Sequence, residues 1–158
     1  MSSGSATLPF VIRRARRADQ PAIRAFVESE RLDPNNLHWR NFLVAVADGR
    51  IVGTVQLREL PDGLCELGSL AVAPELRGRG IATRLIEQLL AEAEGPVEMI
   101  TCAKFAAHYE RFGFRRIGRT RAPVPVRKRY LIGQFLGGLR SLLSGSTPRR
   151  LAILQRAG

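Results

Sequence analysis

Short apolar runs and apolar residues at helical spacing alternate along the chain. Runs with strand character fall at 10–16, 42–47, 50–58, 65–72, 97–102, 114–117 and 151–155. Ile23, Phe26 and Val27 mark the buried stripe of a helix that Asp19 caps, with Pro21 in its first turn and an end near Glu30. Ile81, Leu85, Ile86, Leu89 and Leu90 mark a longer helix, and 103–112 reads as a short one ended by Gly113. Asp48-Gly49 is a two-residue hairpin turn, Pro61-Asp62-Gly63 leads the chain into 65–72, and Gly95-Pro96 closes the long helix. Because a helix makes the crossover, 97–102 must run parallel to 65–72. The first nine residues are small and polar and read as a flexible tail. Residues 10–158 then form a single α/β domain, since 158 residues fill one core comfortably and two poorly.

The chain departs from a simple ending after 114–117. Residues 119–148 intervene before the closing strand, and they form a basic, amphipathic insertion. Prolines at 123 and 125 make 122–126 extended. From Tyr130 to Leu143, Leu131, Ile132, Phe135, Leu136, Leu139, Leu142 and Leu143 recur at helical spacing, while Gly133, Gly137 and Gly138 weaken the helix. Such a helix depends on packing against its own domain, a second copy or a membrane surface.

The stretch from Leu67 to Ala82 passes from a buried strand through a Gly-rich turn into the long helix. This turn sets free backbone N–H groups at the positive end of a helix, which suits a phosphate or pyrophosphate. Gly78 and Gly80 let the backbone approach such a ligand, and Arg77 and Arg79 add charge-assisted contacts. The spacing fits neither GxxxxGK[ST] nor GxGxxG, so generic phosphate binding is as far as these residues lead by themselves.

The pattern Arg77-x-x-Gly80-x-Ala82, following Leu70-Ala71-Val72, resembles the acetyl-CoA pyrophosphate loop of GNAT-family N-acetyltransferases. His108-Tyr109-Glu110-Arg111-Phe112-Gly113-Phe114 is similar to that family's Phe-Tyr-x-x-x-Gly-Phe signature. The resemblance covers 10–118. It implies a GNAT-type mixed sheet: an antiparallel N-terminal meander, a parallel central pair splayed at the acetyl-CoA site, and here an inserted helix before the last strand. It also implies that Leu70, Ala71, Val72, Arg77, Gly78, Arg79, Gly80, Ile81, Ala82 and Thr83 hold the cosubstrate acetyl-CoA. The backbone N–H of Leu70 is then the donor to the reacting carbonyl oxygen, and Leu70 and Val72 pair with the pantetheine arm.

Transfer of acetyl to an amine requires a base for the amine, a donor to the oxygen and an acid for the leaving thiolate. By resemblance Tyr109 is the acid and also contacts the cofactor, and Glu66, six residues before Val72, is the base. Strand alternation leaves open whether Glu66 faces the cleft. His38 and Trp39 lie where the family borders its acceptor, and are candidates for substrate contact. Cys102 stands where many relatives carry an Asn cofactor ligand, and direct transfer needs no cysteine nucleophile.

Charge narrows the partners. Residues 1–110 carry 13 basic and 14 acidic side chains, whereas 111–158 carry 12 basic and no acidic ones. The excess of +11 therefore belongs to the C-terminal third. It favours acidic peptides over polyamines and leaves nucleic acid or an anionic surface as unfavoured alternatives. No apolar run reaches the roughly 18–20 residues of a spanning helix, the first nine residues do not read as a secretory signal, and two isolated cysteines suit free thiols in a cytoplasmic protein. The sequence reading is thus an acetyl-CoA-dependent N-acetyltransferase without a metal, with a homodimer left open. Its acceptor is a primary amine, with a protein or peptide N-terminus or lysine favoured over a free amino acid or other small amine. A sensor that binds acetyl-CoA without turnover is the rival from outside enzymology.

Overall fold

In a computed structural model, residues 9–60, 63–144 and 150–158 are described, without the side chains of 137–142 and 144. Most of the expected N-terminal tail (residues 1–8), Pro61 and Asp62 of the turn, and residues 145–149 of the insertion lie outside the described residues. The elements are β1 (Val11–Arg14), α1 (Gln20–Ser29), β2 (Phe42–Ala47), β3 (Arg50–Glu59), β4 (Cys65–Val72), α2 (Ile81–Glu92), β5 (Val97–Cys102), α3 (Ala106–Glu110), β6 (Arg115–Ile117), α4 (Val124–Ser144) and β7 (Leu151–Arg156). Seven strands form one mixed sheet in the order β1-β2-β3-β4-β5-β7-β6. β4 and β5 pair in parallel, as the crossover through α2 requires, with Cys65 opposite Val97 and Glu66 opposite Glu98. By compactness the chain divides into two units, Met1–Leu57 with Ser69–Glu92 and Arg58–Gly68 with Ala93–Gly158.

In the first unit β1, β2 and β3 are antiparallel neighbours. Asp48 and Gly49 both take left-handed φ, +48° and +73°, the twist that a tight hairpin between right-twisted strands needs. α1 buries Ile23 and Val27 against Ala15, Leu37, Phe42 and Val44. Asp19 stands at the N-cap position of α1, as expected, but its side chain makes no capping bond to the helix. Its carboxylate instead takes the Arg16 N–H at 2.6 Å and two bonds from Arg13, so it closes the single 3-10 turn that precedes the helix. A short side chain engaged on the preceding turn is unavailable to the following one.

In the second unit β7 runs antiparallel to both β5 and β6, and so fills the place between them. The chain reaches that place through α4, which starts earlier than the prolines suggest. Residues 122–126 were expected to be extended, but the helix begins at Val124, and the Arg127 N–H already bonds the Pro123 carbonyl. Prolines there lose nothing, because first-turn N–H groups have no partner within the helix. Val126 packs with Ala122 and Ile153, beside Leu60, Ile100, Ile117 and Tyr130. The short helix 103–112 is realised as a 3-10 turn (Ala103–Phe105) running into α3, and Gly113 ends it at φ +85°.

Candidate active site

The centre of β4 is irregular. Ser69 has φ +49°, a left-handed conformation that a serine adopts only where its surroundings impose it. Two polar side chains buried on β3 hold it there. Thr54 Oγ1 donates to the Ser69 carbonyl at 2.8 Å, and Gln56 Nε2 donates to Ser69 Oγ at 2.7 Å. Burial is complete from Cys65 to Leu67, partial from Gly68 to Ala71 and complete again at Val72, so the inside–outside alternation of a regular strand is lost.

Val72 leads through a 3-10 turn (Pro74–Leu76) into the exposed loop 77–80. Gly78 and Gly80 both have φ +78°, and an added Cβ at either would meet nothing within 4 Å. Backbone conformation therefore requires glycine here, and crowding does not. The first helical N–H bond of α2 runs from Arg84 to the Gly80 carbonyl, so the N–H groups of Ile81, Ala82 and Thr83 lie at its positive end. Arg79 is exposed on this loop. Arg77 turns elsewhere: its Nε donates to the Val72 carbonyl at 3.0 Å and its guanidinium pairs with Glu30.

On the second unit, Glu66 is buried and its carboxylate pairs with two cations, Arg58 at 3.3 Å and Arg129 of α4. Its neighbour across the ladder, Glu98, is fully buried and accepts a bond from Gln155 at 3.1 Å. Burial pushes the Glu98 carboxyl above the usual carboxylate range, with the nearby Glu66 charge adding to the effect and Gln155 opposing it.

Tyr109 is buried on α3, its ring edge-on to Phe114 with centroids 6.2 Å apart. Burial raises its phenol above 10, and a hydrogen bond with the Thr101 side chain partly offsets this. The hydroxyl therefore holds its proton throughout the neutral range. His108 is exposed and meets Arg111 at 3.2 Å. Cys102 is half-buried, Cys65 is buried, and both thiols are free; burial, more than the charges of Glu59 and Glu94, raises the Cys65 thiol.

His38 and Trp39 lie on the first unit. His38 is exposed, stacks on Trp39 at 5.8 Å and accepts the Arg40 N–H at 3.3 Å. Trp39 is half-buried against the α1 core, its N–H bonded to Gln20 Oε1 at 2.8 Å, with the Arg40 guanidinium over its ring.

The family model for the acetyltransferase (GNAT) domain matches residues 38–116. An uncharacterized N-acetyltransferase of Chlorobaculum tepidum is 30% identical over 126 residues, which are 73% of this chain and 81% of that protein. The chain belongs to the GNAT acetyltransferases. N-acetylaspartate synthetase of Danio rerio is 43% identical over 88 residues, half of this GNAT chain and 31% of that protein. N-acetylglutamate synthase of Neisseria gonorrhoeae, solved with coenzyme A and N-acetylglutamate, shares the fold at a TM-score of 0.71 and 21% identity, over 94% of this chain and 35% of that one. The GNAT chain thus spans about a third of the length of these last two proteins.

The matched region of the GNAT domain contains the left-handed Ser69 of β4, the glycine loop, Glu66 and Tyr109. Sequence reasoning missed Thr54, Gln56, Arg58 and Arg129. The first two had a signal, polar residues at alternate positions in an otherwise apolar strand. Arg129 had none, because 63 residues separate it from Glu66.

Proposed function

We propose that this chain transfers acetyl from acetyl-CoA directly to the α-amine of a small acceptor carrying carboxylates, an acidic amino acid. The observation that carries this reading is the convergence of Arg58 and Arg129 on buried Glu66. A guanidinium presents a planar fork of N–H donors matched to a carboxylate. A base flanked by two such forks suits a molecule whose amine and carboxylates lie a few bonds apart. The names of two relatives support it, since both are synthases of N-acetylated acidic amino acids. The absence of any Asp or Glu after Glu110 in the sequence supports it too, because an anionic acceptor meets no repulsion there.

Residues 70–72 and the loop 77–83 hold acetyl-CoA, with N–H groups of the α2 N-terminus and Arg79 at the pyrophosphate. Acetyl-CoA supplies the activated acetyl group. The Leu70 N–H, turned by the left-handed Ser69, donates to the carbonyl oxygen as charge develops on it. Glu66 takes the amine proton, directly or through one water, and Tyr109 gives its proton to the leaving thiolate. Cys102 lines the cofactor without reacting, and His38 and Trp39 border the acceptor. The two free thiols suit a reducing compartment such as the cytoplasm.

Its ion pairs give Glu66 a second reading, as the anchor that positions Arg58 and Arg129 for the acceptor's carboxylates. Glu66→Gln separates the two. Loss of a base lowers kcat by about 10²–10⁴-fold with KM for the acceptor little changed, whereas loss of an anchor raises that KM and spares kcat.

The test is acetyl-CoA-dependent release of CoA against aspartate, glutamate, neutral amino acids, polyamines and N-terminal and lysine peptides. Turnover with an acidic amino acid, lost in Tyr109→Phe while acetyl-CoA still binds, is the expected result. Turnover with peptides alone returns the acceptor to a protein amine. Silence across the panel with acetyl-CoA bound makes the chain a sensor.

A further inference from the structure

Helix α4 is amphipathic in the reverse sense for a helix packed on a core. Its inward side is thin. Among the side chains of α4 that are described, Val126 is the one fully buried apolar residue, Tyr130 donates to the Leu151 carbonyl at 3.3 Å, and Gln134 donates to the Tyr130 hydroxyl at 3.1 Å. Gly133 lies so close to β7 that a Cβ would sit 3.1 Å from Leu151 Cδ1. The outward side carries Leu131, Ile132, Phe135, Leu136 and Leu143, whose exposures run from 49% to 82%. Spacings of four and seven residues align them on one face. A helix that belongs only to its own core shows the opposite arrangement, apolar inside and polar outside.

The surroundings of this face select its partner. Lys128 is exposed one turn before Leu131 and Ile132, and Arg127 precedes Leu131 by four residues. From Arg111 to the end of the chain there are 12 Arg and Lys and no carboxylate side chain. Two copies meeting through this face would set those cations against their own images. Nucleic acid would meet four aliphatic side chains and the single ring of Phe135 where stacking of successive bases needs several rings. An anionic bilayer satisfies both halves of the pattern. Among the described residues no helix is long and apolar enough to cross a membrane, so the geometry is that of a helix lying on one.

We infer that the outward face of α4 docks on an anionic lipid surface, with Leu131, Ile132, Phe135, Leu136 and Leu143 at the acyl boundary and Arg127 and Lys128 at the lipid phosphates. The whole chain is sedimented with phosphatidylcholine vesicles containing phosphatidylserine, and with phosphatidylcholine alone, at low and raised salt. Binding to the anionic vesicles exceeds binding to the neutral ones by about tenfold or more and falls as salt rises. The double variant Leu131→Asp, Phe135→Asp loses vesicle binding and keeps the parent's melting curve. Lys128→Glu, which leaves the apolar residues in place and tests the charge separately, weakens binding several-fold. No sedimentation with anionic vesicles at low salt overturns the inference, as does equal binding to both vesicle types. A vesicle-free dimer that Phe135→Asp disperses, or a preference for DNA over vesicles, overturns it in favour of that other occupant.

Discussion

Two buried carboxyl groups, Glu66 and Glu98, lie side by side across the β4–β5 ladder, and Glu66 is the one that pairs with Arg58 and Arg129. Oε2 of Glu98 has no hydrogen-bond partner among the described residues, so burial falls fully on that group. Its raised pKa means that the folded state binds this proton more tightly than the unfolded chain. Glu98 therefore favours folding below its unfolded pKa of about 4.3, and that contribution is lost as pH rises through the native value. Glu98→Gln removes the titration and keeps an acceptor for Gln155. Melting followed by circular dichroism should place this variant above the parent at pH 8 and close to it at pH 4. At the left-handed Ser69, Thr54→Val removes a bond to its half-buried carbonyl, a loss of about 1–3 kcal/mol. If this conformation aims the Leu70 N–H, KM for acetyl-CoA rises or kcat falls in this variant beyond what its melting point explains.

Packing between elements places the phosphate loop. Gly53 on β3 sits beneath α2, and a Cβ there would lie 3.1 Å from both Ile81 Cγ2 and Leu85 Cδ1 and 3.2 Å from Ala45 Cβ. This glycine sets how closely the helix approaches the strand, and Ile81 is the helix's first residue. Gly53→Ala should cost about 1–3 kcal/mol, roughly 2–4 °C in Tm for each kcal/mol at this size. Because the shift is delivered at the N-terminus of α2, titration calorimetry should show weaker CoA binding as well. Gly78→Ala makes the complementary case. No neighbour resists the methyl group, but φ +78° does, so affinity for CoA falls with a smaller change in packing.

For the molecule as a whole, charge distribution distinguishes the acceptor classes. A chain that gathers 12 cations and no acidic residue into its last 48 positions attracts anions at long range. For an acidic amino acid, kcat/KM should fall as ionic strength rises past the point where the screening length is about 10 Å. A neutral amino acid run alongside should show little change, and equal salt dependence for both would remove electrostatic selection from the reading.

Much of this architecture is local and was legible in the sequence. Short apolar runs bounded by turn residues give β2, β4 and β5, and the 3.6-residue period gives α2, each nearly to the residue. The glycine loop and Tyr109 were equally visible, since turn chemistry and a short motif lie within a few residues of each other. The sequence by itself thus determined the order of elements, the parallel β4–β5 crossover, the loop that suits a pyrophosphate and the concentration of charge at one end. Only the tertiary structure decided what meets across long separations. It joined Arg129 to Glu66, set Glu98 beside Glu66, used Thr54 and Gln56 to hold Ser69 left-handed, and turned Leu131, Leu136 and Leu143 of α4 outward. Periodicity fixes which side chains share a face, but it carries no information on which distant element that face will meet.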